Sequence, residues 1–258
     1  MEDSRAATIE RLRLRMAAIP AGSSGPTRTS LAALTSAPPA DDAEEITAPS
    51  RPSTSLRTLP APGPVADLLP HRGLVRGSTV HVSGAASLRA GLIASVTEAG
   101  GSAAIVGLPR LSLLAAAEMG ADLRRCAVVE EPGTDPIEVA AVLADGLDFI
   151  LLSLGGVDVP PSRARAVAAR VRKNGTILAV TDGRWPSTDL QLDARVARYH
   201  GLDAGYGRIT GIDLDVQATP RGNRPRRSTI TLTGHGGRIE WNISTTSANT
   251  AAPLRIAQ

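Results

Sequence analysis

Between residues 80 and 91 the sequence reads Val-His-Val-Ser-Gly-Ala-Ala-Ser-Leu-Arg-Ala-Gly: a strand, a small-residue turn and a helix start. A glycine, four residues, then glycine, lysine and Ser or Thr at such a junction cradle phosphate. Backbone N–H groups wrap the anion and the lysine neutralises it. Counting from Gly84, the second glycine would fall at 89, the lysine at 90 and the hydroxyl at 91, but the chain has Arg89, Ala90 and Gly91. Arg89 is one residue early, about 100° around the helix from where the lysine would project. It also sets bulk where the backbone approaches phosphate. The chain has a single lysine, Lys173, far from this segment in sequence. N–H groups alone could still form a weak anion site.

Other reactive side chains are dispersed. His71, His81, His200 and His235 show no i, i+4 pairing and have no thiolates to join them, so no metal ligands are assigned. Cys126 is the only cysteine, which excludes an internal disulfide; beside an apolar run it reads as a buried structural thiol. Ser83 and Ser153 lack a nucleophile-elbow context. No catalytic residue and no cofactor are assigned. Arg221, Arg224, Arg226 and Arg227 cluster between two expected strands and suit either weak phosphate contact with nucleic acid or a solvated basic turn. Trp185 and Tyr199 could stack bases or serve as packing anchors.

The elements that must position these groups follow from pattern. Residues 5–19 form a short amphipathic helix with Ile9, Leu12, Met16 and Ile19 on one face, which needs a surface to pack on, its own core or a partner's. Residues 20–65, rich in Pro, Ser, Thr and Ala, read as a disordered linker. From 66 to 234 the texture is that of a core. Strands are expected at 79–83, 103–106, 127–129, 149–153 and 176–181. Helices alternate with them at 88–99, 112–119, 135–144 (capped by Thr134) and 162–172, which implies parallel strands with helical crossovers. Residues 190–198, 208–218 and 227–233 alternate apolar with polar and read as antiparallel strands. Residues 235–258 are expected to form a flexible tail, with Trp241 its one large anchor for partner docking. Aromatic residues make up 2% of the chain, so the core must be aliphatic; the formal charge of +3 permits nucleic acid without indicating it. The run from 139 to 157 is broken by Asp145 and Asp148, which excludes an ordinary membrane span. Without an apolar leader after Met1-Glu2-Asp3, the expectation is a cytoplasmic protein.

The order of elements from Gly73 to Leu232 resembles the RecA recombinase core, and more closely the small RecA-like accessory proteins of actinobacterial mutasomes, the ImuA-prime type. The residues that carry the resemblance are Leu69-Pro70-His71-Arg72-Gly73-Leu74-Val75-Arg76-Gly77, Ala99-Gly100-Gly101-Ser102-Ala103-Ala104, Met119-Gly120-Ala121-Asp122-Leu123, residues 147–153, and Gly222-Asn223-Arg224. It implies a three-layer, P-loop NTPase-type α/β fold, its mostly parallel sheet ending in antiparallel C-terminal strands, with a degenerate P-loop and flexible N- and C-terminal extensions. In active relatives a carboxylate ends the second strand and an aspartate ends the strand at 149–153. Here the first stretch reads Val106-Gly107-Leu108-Pro109-Arg110 and the second position is Ser153; Asp148 lies at the wrong end.

The resemblance implies a non-catalytic accessory protein of damage-induced mutagenesis and translesion synthesis. Its partner would be an inactive Y-family polymerase-like adaptor (the ImuB type). Through the adaptor it would meet an error-prone C-family DNA polymerase and the sliding clamp, nucleoid-associated when DNA is damaged. Two alternatives stay open: a SulA-like inhibitor of the division protein FtsZ, and a weak ATP-binding RecA-family ATPase.

Overall fold

A computed structural model describes residues 58–203 and 206–244. The expected helix at 5–19, with Ile9, Leu12, Met16 and Ile19, lies outside the described residues, as do most of the expected linker and the chain beyond Ser244.

The described chain begins with β1 (Thr58–Leu59), α1 (Gly63–Ala66) and β2 (Leu74–Val75), β1 and β2 forming a small antiparallel pair. This corrects the linker boundary at 65: Leu59 and Val65 are buried, so residues 58–65 belong to the core. Prolines made the segment read as linker, yet here they shape structure, with Pro62 at the N-cap of α1 and a proline in its first turn.

The main sheet is built from β3 (Thr79–Gly84), β4 (Ala103–Val106), β5 (Cys126–Val129), β6 (Phe149–Ser153), β7 (Ile177–Thr181), β8 (Leu190–Asp203), β9 (Tyr206–Pro220), β10 (Arg226–His235) and β11 (Arg238–Ile243). Its spatial order is β11-β10-β9-β8-β3-β7-β6-β4-β5. Strands β5 through β8 in that order run parallel, and β8, β9, β10 and β11 alternate in direction. The crossovers carry α2 (Ala86–Glu98), α3 (Leu113–Glu118), α4 (Pro136–Leu143) and α5 (Pro161–Asn174).

Strand alternation sorts the core onto two faces. Phe149 and Leu151 of β6 point to the side of α1 and α2, with Leu88, Leu92, Ile93 and Val96; Ile150 and Leu152 point to the side of α4 and α5, with Ile137, Val167 and Val171. Each fully buried aliphatic side chain stabilises by roughly 1.5–3 kcal/mol, so these central strands anchor the fold. Nearly every turn of α2 is buried, which explains its apolar, small-residue sequence. α5 is one-sided. It opens with Pro161 in its first turn and stops at Gly175, whose φ of 72° suits a residue without Cβ. α4 is capped by Asp135, which accepts from the Glu138 N–H, rather than by Thr134.

Three further expectations change. Residues 238–243 form β11, so the tail does not begin at 235; Ile239 and Trp241, opposite Gly234 and Leu232 of β10, are half-buried, whereas Ile243, opposite Ile230, is exposed. α2 begins at Ala86 instead of 88. Cys126 is only half-buried, because β5 is an edge strand; burial is the main cause that pushes its thiol pKa up, with Asp122 adding to it.

Candidate functional site

In an open parallel sheet, ligands lodge at the carboxyl ends of the strands. Here that edge carries Gly84, Val106, Ser153 and Thr181 at the ends of β3, β4, β6 and β7.

β3 passes into α2 through one residue, Ala85. A phosphate loop starting at Gly84 would need residues 85–88 free to curl around an anion, but 86–88 are already helical. The Ala85 N–H donates to the Ala194 carbonyl of β8 at 2.7 Å, so it is not turned to a ligand. Gly84 has a φ of 83°, and a Cβ there would stand 2.0 Å from the same carbonyl oxygen. The glycine therefore serves close packing between β3 and β8.

Arg89 and its neighbours fill the space behind this junction. The guanidinium is 15% exposed, donates to Thr181 Oγ1 at 3.0 Å and stands 3.8 Å from the Asp182 carboxylate. Asp182, with φ 54°, also accepts from the Ser153 hydroxyl at 3.4 Å. Ser153 is itself 8% exposed, and its Oγ accepts from the Gly155 N–H. The Arg89 Nε–H is buried without a hydrogen-bond partner among the described residues. A cation, two hydroxyls and a carboxylate thus close on one another where triphosphate and its metal would sit. Thr181 and Asp182 were not singled out from the sequence; the signal was a polar pair directly after the apolar run 177–180.

Ala90 and Gly91 lie elsewhere. Ala90 is 2% exposed inside the core. Gly91 faces Trp241: a Cβ at 91 would come 2.3 Å from Trp241 Cζ2 and 3.1 Å from Pro62. The position expected to hold a phosphate-loop hydroxyl is a seat for an indole. Trp241, expected as a docking anchor, is half-buried against its own α2 instead. Beside it a shallow cavity of about 370 Å³ is lined by Pro60, Pro62, Ser95, Glu98 and Met119, among others.

Asp148 sits at the amino end of β6. It accepts from the Ser102 N–H (2.9 Å) and hydroxyl (3.0 Å) and pairs with Arg76 at 2.7 Å. Burial pushes its carboxyl pKa up, but these donors outweigh that and hold it below the ordinary value. Its role is to tie β6 to the start of β4. Trp185 is 6% exposed in the core under α5, hence a packing anchor, whereas Tyr199 is 51% exposed on β8. Arg221 and Arg224 in the β9–β10 turn, and Arg226 and Arg227 at the start of β10, are exposed beside Pro220, the partner of Leu190 at the beginning of β8. They are therefore at the opposite end of the sheet from Gly84. Arg227 donates to Gln217. Among the described residues no cluster of His, Cys, Asp and Glu could hold a metal ion, and no helix is long and apolar enough to cross a membrane.

The strand order defines a RecA-like α/β fold. A KaiC-like protein, PH0186 of Pyrococcus horikoshii OT3, superposes with a TM-score of 0.50 at 12% identity, over 72% of this chain and 99% of that one. Residues 67–187 match the family model of the MT3502 N-terminal domain. The uncharacterized protein Rv3395c of Mycobacterium tuberculosis (strain ATCC 25618 / H37Rv) is 50% identical over 177 residues, 66% of this chain and 83% of that protein. The chain belongs to the family of Rv3395c.

Proposed function

We propose that this RecA-like protein is non-catalytic and acts by contact, as an accessory factor in damage-induced mutagenesis and translesion synthesis. It binds an inactive Y-family polymerase-like adaptor, and through it meets an error-prone C-family polymerase and the sliding clamp. The observation that carries the non-catalytic reading is the one-residue junction between β3 and α2, with Arg89 turned onto Thr181 and Asp182. Phosphoryl transfer relies almost entirely on positioned donors and cations. A junction with no loop supplies neither, and the one nearby cation is engaged internally. The place in translesion synthesis is supported by the resemblance of the residues from Gly73 to Leu232 to mutasome accessory proteins.

The test is co-expression of the full chain with an ImuB-type adaptor, followed by affinity purification and analytical sizing. A stable complex in buffer without nucleotide, unchanged on adding ATP and magnesium, is expected. Absence of a complex in both conditions refutes the partner; assembly only with ATP refutes the nucleotide-free reading.

A further inference from the structure

Strands β8 and β9 run past their neighbours. The last residue of β8 with a partner on β3 is Ala194, opposite Gly84, and the first residue of β9 with a partner on β10 is Gly211, opposite Thr233. Residues 195–203 of β8 thus have an open edge on the β3 side, and from 201 to 203 and 206 to 210 the two strands pair only with each other among the described residues. Isolated ribbons of this kind are marginal in water, and their open edges invite another strand.

This ribbon is also two-faced. Val196 lies opposite Leu214 and Tyr199 opposite Ile212, so both continue the apolar face that α2 covers further down the sheet. There they are 42% and 51% exposed; Leu202 and Ile209 on the same ribbon are 51% and 49% exposed. Arg195 and Arg198 lie opposite Asp215 and Asp213 on the other face. The carboxylates of that face have partners: Asp213 takes His200 and Thr231, Asp215 takes Thr229, and Asp193 takes Ser83 and Arg195. Arg195 is shared with Asp193, and Arg198, opposite Asp213, adds a second cationic group on the strand with the open edge.

We propose that the free edge of β8 beyond Ala194 receives a β-strand from a partner protein, one whose residues alternate apolar with acidic. Its apolar side chains cover Val196 and Tyr199 on one face, and its carboxylates meet Arg195 and Arg198 on the other. Nucleic acid fits less well, because Val196, Leu202 and Ile209 have no π face for a base and gain nothing beside phosphate. A second copy pairing through the same edge would set its own arginines against these. The assignment holds whichever protein supplies the strand, so it stands apart from the adaptor reading.

The experiment uses the full chain and synthetic strand-length peptides alternating Val or Ile with Glu, their Lys counterparts, and single- and double-stranded DNA oligonucleotides, read by fluorescence anisotropy. The Glu peptide binds and the Lys peptide does not. Val196→Thr with Tyr199→Thr weakens the Glu peptide by about tenfold or more. Arg195→Glu with Arg198→Glu reverses the preference toward the Lys peptide, which a mere loss of folding cannot do. Hydrogen exchange slows in residues 195–202 when the peptide is bound. No peptide binding, binding indifferent to the substitutions at 195, 196, 198 and 199, DNA outcompeting the peptide at the β8 edge, or concentration-dependent dimerisation abolished by those substitutions would each overturn the proposal.

Discussion

Arg89 shows how far chemistry can be read from a single position. Its mismatch with the phosphate-loop pattern is visible in the sequence, because the register from Gly84 places bulk where glycine belongs. Its partners are not, because Thr181 and Asp182 are 92 and 93 positions away and meet it only through the pairing of β3 with β7. Gly91 was legible as a deviation but not as a packing seat, since the indole that fills it comes from beyond the apparent core. Asp148 offers the clearest test at this scale. Its carboxyl titrates below the ordinary value of 3.8, so the stability it confers is complete above that pH and drains away as the pH falls through the lower, folded value. Asp148→Asn should therefore lower stability by about 1–2 kcal/mol at neutral pH, since the amide still accepts one bond from Ser102 but loses the charge that Arg76 faces. The gap to the wild type should narrow below pH 3.8 in urea titrations; a gap independent of pH would remove Arg76 from the account.

Elements with a strong apolar period were legible: the buried runs of β4, β6 and β7, and the crossover helices between them, fall within a residue or two of their expected places. Short or mixed elements were not. β11 was read as tail because its inward positions, Ile239 and Trp241, are flanked by charged or polar residues, as an edge strand with one wet face requires. β1 was hidden by the prolines that follow it at 60, 62 and 64. Since Trp241 closes the outer surface of α2 over Gly91, Trp241→Ala should cost about 2 kcal/mol, less than a fully buried tryptophan. Glu240→Ala, exposed on the opposite face, should stay within about 0.5 kcal/mol. Thermal unfolding of both variants checks this, and equal effects would mean that β11 contributes through its backbone alone.

At the scale of the molecule, helices cover both faces of the parallel half, whereas the antiparallel half is buried on one face and polar on the other. Strand–helix alternation announced the first half, but no local pattern announces how far β8 and β9 outrun their neighbours, which depends on where β3 and β10 stop. Binding of a ligand to the native state alone stabilises it by about 2.7 kcal/mol at a hundred times its dissociation constant. Millimolar ATP with magnesium should leave the Tm of this protein unmoved; a rise of several degrees would restore the ATPase alternative. The direct passage from Gly84 to Ala86 has a bearing on redesign as well. Installing glycine at 89, lysine at 90 and serine at 91 would complete the letters of the motif while leaving nothing for them to grip. The serine would strike the indole, and the lysine would start from an interior position. Triphosphate chemistry here would demand inserted backbone, which point changes alone cannot supply.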